Sequence, residues 1–236
     1  MRELKGRLIE RIVRTPTVES FRFALPERVA FVPGQFTRVM FDESDSGNKD
    51  LNKYLSFSSS PDKTYIEVTK RLSLSLFSRC LRNLKVNDEV LLQLPMGNCV
   101  FKEEYRNIGF LIGGIGITPV ISIIEYIVER KLATDVVLVY SNRTDDEIAF
   151  KPQLDRWRSG NANLKIYYLV SECEPKDKTC IHGTITKDLL SDKICDIQER
   201  TFFIFGPPRM VEAMKSVSLE LGCSQGNIKT ESFIGY

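Results

Sequence analysis

Apolar and polar residues alternate in short runs through roughly the first hundred positions, and then the rhythm changes. Segments 7–13, 18–24, 36–41, 54–58, 65–69 and 89–94 alternate with a period near two and are separated by Pro, Gly and Asp. That pattern predicts half-buried antiparallel strands, which close most economically as a small barrel. Beyond the polar stretch 103–107, apolar runs at 108–112, 136–140, 164–170 and 201–205 alternate with helical patterns at 119–131, 144–158 and 208–221. Strands that are mainly apolar are buried on both faces, so this half predicts a parallel sheet with helices on either side. Thr144 and Glu147 have the spacing of a capping box, and the last helical pattern opens at Pro208 and stops at Gly222. Two domains are expected, 1–103 and 104–236: an antiparallel Greek-key β-barrel, then a parallel-sheet α/β nucleotide-binding domain.

The most informative string is Gly113-Gly114-Ile115-Gly116-Ile117-Thr118-Pro119, which joins the run 108–112 to a helical pattern. Gly113, Gly114 and Gly116 permit a sharp turn and the close approach of a ligand, Thr118 suits an N-cap, and Pro119 fits a first helical turn. A helix N-terminus carries unpaired N–H groups and a partial positive charge, which suits a pyrophosphate. Pro119 stands where the common dinucleotide fingerprint has its last glycine. On this string alone, a nucleotide site and a plain strand-to-helix turn both stay open.

Composition narrows the class. With 42% hydrophobic and 27% charged residues the chain reads as a soluble globular protein. Its 33 basic and 31 acidic residues leave a net charge of +2, which gives no electrostatic reason to expect nucleic acid. The longest apolar stretch, 120–128, is interrupted by Ser122 and Glu125 and is too short to span a bilayer. The charged first residues do not form a secretory signal, so a cytoplasmic location is expected. Cys80, Cys99, Cys173, Cys180, Cys195 and Cys223 are scattered. No metal site is expected from them, and buried free thiols are. His182, the only histidine, reads as a loop residue.

Four landmarks together resemble the ferredoxin-NADP reductase superfamily over nearly the whole chain. Lys53-Tyr54-Leu55-Ser56-Phe57-Ser58-Ser59-Ser60-Pro61 is similar to that family's flavin motif, and the glycine loop at 113–119 follows it. Tyr140-Ser141-Asn142-Arg143-Thr144 resembles the segment beside the adenosine of the nicotinamide nucleotide. Phe205-Gly206-Pro207-Pro208 and the ending Glu231-Ser232-Phe233-Ile234-Gly235-Tyr236 resemble the family's last two landmarks. The chain departs from the pattern in places. Lysine replaces the usual arginine at 53, Leu55 replaces the aromatic that stacks on flavin, Leu74 and Ser75 stand where glycines are usual, and Phe205 replaces a cysteine.

The resemblance implies a flavoprotein that moves a hydride between NAD(P)H and FAD, with FMN as the less expected flavin. Lys53 would neutralise flavin phosphate, Leu55 would flank the isoalloxazine, and Ser56 would hydrogen-bond near its N5. Ser75 and Ser78, at the start of a helix over 74–84, would hold phosphate. Gly113, Gly114, Gly116 and Thr118 would hold the nicotinamide pyrophosphate. Ser141 and Arg143 lean towards a 2′-phosphate and hence NADPH, while Glu172 after Ser171 leans the other way and Lys176 and Lys178 offer further cations. Phe205, Gly206, Pro207 and Tyr236 would border the nicotinamide, Glu231 would orient its carboxamide or relay a proton, and Phe233 or Tyr236 would cover the flavin. The chain has no cluster of its own, so a separate carrier is implied: a ferredoxin-like iron-sulfur protein first, then a flavodoxin, a haem protein or a partner subunit. Two alternatives remain, a flavin-carrying subunit without independent turnover and a nucleotide-binding module that has lost flavin chemistry.

Overall fold

The computed structural model describes residues 1–233. The chain divides into two compact units, Met1–Phe101 with Thr118–Tyr126, and Lys102–Ile117 with the chain from Ile127 onward. The break after Phe101 lies close to the change of rhythm in the sequence, but one helical stretch crosses back to the first unit.

In the first unit six antiparallel strands, β1 (Arg2–Thr15), β2 (Val18–Ala24), β3 (Phe36–Met40), β4 (Asn52–Ser56), β5 (Ile66–Arg71) and β6 (Glu89–Met96), pair in the order β4-β3-β6-β1-β2-β5. The sheet closes through an isolated bridge between Phe57, just beyond β4, and Val68 of β5. Period-two alternation sends Phe21, Phe23, Val39, Val68 and Leu92 into one core, each side chain worth about 1.5–3 kcal/mol buried rather than exposed. The opposite face of β5 is polar yet buried. The Glu67 carboxylate accepts from Arg14 Nη2 at 3.0 Å on both oxygens, from Arg22 Nε at 2.8 Å and from Ser58 Oγ at 3.1 Å. So many partners are what make a buried carboxylate tolerable. Helix α1 (Leu76–Asn83) begins at Ser75, whose side chain accepts from the Ser78 N–H.

Helix α2 (Ile117–Glu129) follows a short 3₁₀ turn, Gly114–Gly116. The helix therefore starts earlier than the sequence pattern implies, and Thr118 lies inside its first turn instead of capping it.

The second unit is a parallel sheet of β7 (Asn107–Gly113), β8 (Asp135–Asn142), β9 (Leu164–Val170), β10 (Cys180–His182), β11 (Thr201–Gly206) and β12 (Ile228–Ser232), in the order β10-β9-β8-β7-β11-β12. Helices α4 (Lys187–Lys193) and α5 (Pro208–Glu220) cover the face carrying Leu111, Val139 and Leu169, through Leu190 and Val211. On the other face α3 (Lys151–Ser159) meets Tyr168, whose hydroxyl donates to Asp155 Oδ1 at 3.0 Å. Burial and the neighbouring carboxylate push the Tyr168 phenol well above its ordinary range.

The helix expected over 144–158 is divided. Asp145–Glu147 form a 3₁₀ turn, Phe150 takes a left-handed φ of 63°, and α3 starts only at Lys151. Thr144 makes no side-chain cap bond. Asp145 instead accepts the backbone N–H of Lys176 at 2.5 Å and of Asp177 at 3.3 Å, so the local sequence is spent on anchoring another loop. His182 ends β10 rather than lying in a loop, with Nδ1 2.9 Å from Glu174. The cysteines are free, but only Cys180 and Cys223 are buried, and Cys195 is exposed. No helix among the described residues is long and apolar enough to cross a membrane, and no described group of His, Cys, Asp and Glu is arranged to hold a metal ion.

Candidate functional site: two nucleotide-binding half-sites

The first half-site lies where the barrel seam opens. From the Phe57–Val68 bridge the antiparallel register would set Leu55 opposite Lys70 and Lys53 opposite Leu72, but β4 and β5 are not neighbours in the ladder there. Lys70 shares its face of β5 with Ile66 and Val68 and is buried, its ammonium donating to the Arg71 carbonyl at 3.3 Å. Burial first, and the charge of Lys53 second, pull its pKa down to about 8. Two cations that disfavour one another in a sheltered place are what an anionic ligand relieves, so Lys53 and Lys70 fit a flavin phosphate or an electron-rich ring edge.

At the end of β5 the chain enters α1 through Ser73, Ser75 and Ser78. Their hydroxyls lie within 3.1–3.3 Å of one another, and Ser78 Oγ accepts the Ser73 N–H at 3.1 Å. The glycines usual in the family are missing, yet hydroxyls clustered at a helix start suit phosphate oxygens. Ser56 is buried at the end of β4, and Leu55 belongs to the barrel core.

The second half-site sits at the reversal of strand order. The chain runs outward from β7 through β8, β9 and β10, then returns to place β11 on the other side of β7. In such sheets the carboxyl ends beside the switch point form the ligand crevice. The two segments at those ends are Gly113–Gly116 and Gly206–Pro208. Gly114 has φ of 53°, a conformation that favours glycine. A Cβ on Gly116 would stand 2.5 Å from the Phe205 carbonyl oxygen and 3.0 Å from the Gly206 nitrogen, so only glycine lets the loop lie against the end of β11.

Phe205 itself is fully buried, with its ring 5.9 Å from Phe203 and 6.5 Å from Phe233. It is a core side chain, not an exposed stacking surface. Pro207 beyond it is exposed, and the Phe233 N–H donates to the Gly206 carbonyl at 2.9 Å. Glu231 pairs with Phe205 across the β11–β12 ladder. Its Oε2 is buried without a hydrogen-bond partner among the described residues, and burial raises the carboxyl pKa. Tyr236, expected over the flavin, lies outside the described residues.

At the ends of β8 and β9, Ser141 is half-buried and Arg143 is exposed. The Arg143 Nε lies 3.4 Å from Glu172 Oε1, and the Glu172 N–H donates to the Arg143 carbonyl at 2.9 Å. Lys176 is turned to Asp146 at 3.2 Å. Arg143 and Lys176, two of the cations expected to welcome a 2′-phosphate, thus face carboxylates.

Sequence reading passed over Lys70, Ser73 and Glu67. The available signal was the inward parity of Ile66, Val68 and Lys70, which puts a lysine on an otherwise apolar face.

Known proteins agree with this layout. Residues 110–216 match the oxidoreductase NAD-binding domain family. NADH-cytochrome b5 reductase 1 of Dictyostelium discoideum is 27% identical over 231 residues, covering 96% of this chain and 80% of that protein. In fold, the chain is similar to a ferredoxin NADP+ reductase from Neisseria gonorrhoeae with bound FAD and NADP, with TM-score 0.83, 20% identity and coverage of 98% and 99% of the two chains. It is equally similar to the flavohem-like FAD/NAD binding domain of nitric oxide dioxygenase from Vibrio cholerae, with TM-score 0.85, 17% identity and 98% coverage of each chain. Barrel, switch-point loop and these likenesses agree: the chain has the two-domain fold of ferredoxin-NADP reductases, and residues 110–216 are similar to the oxidoreductase NAD-binding domain family.

Proposed function

We propose that this protein is an NADH-dependent FAD reductase that delivers electrons to a haem carrier of the cytochrome b5 type. The observation that carries the reading is the presence, in one chain, of two nucleotide-binding half-sites of different construction. One is the Lys53–Lys70 seam with the serine cluster of α1, and the other is the glycine loop packed against the end of β11. FAD bound in the first half-site would supply the hydride and one-electron chemistry. The chain's own part is to bind, orient and shield. Lys53 and Lys70 supply positive charge, the α1 serines supply hydroxyls, and Glu231 offers a half-buried carboxyl group beside the glycine loop's partner strand. A haem carrier is preferred to the iron-sulfur protein expected from sequence because the relatives that cover most of this chain bear the name of cytochrome b5 reductase.

NADH is preferred because Glu172 occupies Arg143 and would itself repel a 2′-phosphate while accepting a 2′-hydroxyl. Stopped-flow mixing of the oxidised, FAD-loaded protein with each nucleotide at subsaturating concentration tests this. NADH is expected to reduce the flavin faster by on the order of 10-fold, equivalent to about 1.4 kcal/mol. Glu172→Arg should narrow or invert that ratio. Faster reduction by NADPH in the parent defeats the nucleotide assignment, and electron delivery to a ferredoxin but not to ferricytochrome b5 defeats the carrier assignment.

A further inference from the structure

Helix α2 is apolar along most of its length, with Val120, Ile121, Ile123 and Ile124 fully buried, and the polar Ser122 and Glu125 in its middle are buried as well. Ser122 and Glu125 are three residues apart and so share one face. That face meets the last residues of the flavin motif. The Ser122 hydroxyl donates to the Ser59 carbonyl at 2.7 Å, and the Ser60 N–H donates to Glu125 Oε2 at 2.6 Å. Glu125 Oε1 lies 3.3 Å from Lys63 Nζ, which supplies the countercharge that a buried carboxylate needs.

From the other side the same segment is held by β5. The Ser58 N–H donates to the Glu67 carbonyl at 2.7 Å, the Glu67 N–H donates to Ser59 Oγ at 3.0 Å, and the Ser58 and Thr69 hydroxyls lie 2.7 Å apart. Residues 58–60 are thus clamped between a strand and a helix, two residues beyond the hydroxyl of Ser56. Tight packing of residues 58–60 could have been achieved with apolar groups alone. A charged acceptor aimed at one backbone N–H instead fixes the height and direction of that peptide.

We propose that Ser122 and Glu125 are positioning residues for the flavin motif, holding the Ser58–Ser60 backbone so that Ser56 meets the flavin in one geometry. This rests on the assignment of the seam as the FAD site. The parent chain is therefore tested first for FAD uptake, and a parent that takes up no FAD defeats the proposed function before any variant is made. With FAD bound, Glu125→Ala is expected to keep one flavin per chain but to change the visible circular dichroism of the flavin. Reduction at saturating NADH should slow by roughly 10-fold to 100-fold, the scale of a small misplacement, with KM for NADH within about 2-fold of the parent. Glu125→Gln, which still offers an oxygen to the Ser60 N–H, should recover the parent spectrum and most of the rate. Ser122→Ala removes one hydroxyl and carries the test if Glu125→Ala does not fold, with the same spectral change expected at smaller amplitude. A variant that melts earlier but keeps the parent's flavin dichroism and saturating rate shows a purely structural contact and overturns the proposal. So does a Glu125→Gln that fails to recover the spectrum lost in Glu125→Ala.

Discussion

Replacing Gly116 by Ala is expected to cost the second unit about 1–3 kcal/mol, the range for forcing an extra methyl into a close-packed place, and to abolish measurable nicotinamide binding. The added carbon would meet the Phe205 carbonyl oxygen at 2.5 Å and its carbon at 2.7 Å, and both belong to backbone locked in the β7–β11 ladder. Neither can swing aside as a flexible side chain would. The glycine loop must therefore move away from β11, taking the N–H groups at the start of α2 out of register with a pyrophosphate. Urea denaturation reads the stability and nicotinamide titration reads the binding. A Gly116→Ala protein with the parent's midpoint and nucleotide affinity would show that the loop adjusts freely.

The second large effect concerns FAD and pH. Removing the Lys53 ammonium should weaken FAD binding by about 1.5–3 kcal/mol, as for loss of a hydrogen bond to a charged group. Lys70 adds a pH dependence with a definite sign. In the flavin-free protein its pKa is about 8 instead of 10.5. An anionic ligand beside it raises that value, so FAD binding takes up a proton wherever the pH exceeds about 8. Affinity is expected to be flat below about pH 8 and to fall above it, by up to 10-fold per pH unit. Lys70→Met should bind more weakly at pH 7 and lose this slope. Flavin-free protein should behave in the opposite sense. Between about pH 8 and 10.5 the unfolded lysine still holds its proton and the folded one has released it, so stability rises with pH across that window. Isothermal titration of FAD at several pH values decides the first point, and an affinity that ignores pH from 7 to 10 would remove Lys70 from the site.

Most of the architecture was legible because the strands obey simple parity. Phe21 and Phe23 inward, with Ser20 and Arg22 outward, can be read directly from the order of residues, and the apolar runs of β7, β8 and β11 announce burial on both faces, while β9 keeps Lys165 exposed. What could not be read depends on long-range partners. Nothing near Thr144 reveals that Asp145 would be drawn to the Lys176 and Asp177 amides, which breaks the expected helix. The three-residue β10 carries too few positions for alternation to register, and β12 mixes Lys229, Thr230 and Glu231 at the edge of the sheet. The site divides in the same way. Lys53, Ser56, Ser75, Ser78 and the glycines stand out in short motifs, whereas Lys70 gains its meaning from burial and from Lys53 on another strand. The Glu172 carboxylate beside Arg143 comes from another strand end and is likewise set by the fold.

The long first strand also has a consequence in time. β1 takes partners from both β2 and β6, and Arg2 faces Leu94 in the second of these ladders. During synthesis the hairpin of β1 and β2 can form almost at once, but the other edge of β1 must wait for about 70 further residues, from Ala24 to Leu94. At ordinary elongation rates that wait is roughly 4–14 s. For that interval the nascent chain displays a strand edge of the kind that other chains can pair with, and the barrel cannot close before β6 leaves the ribosome.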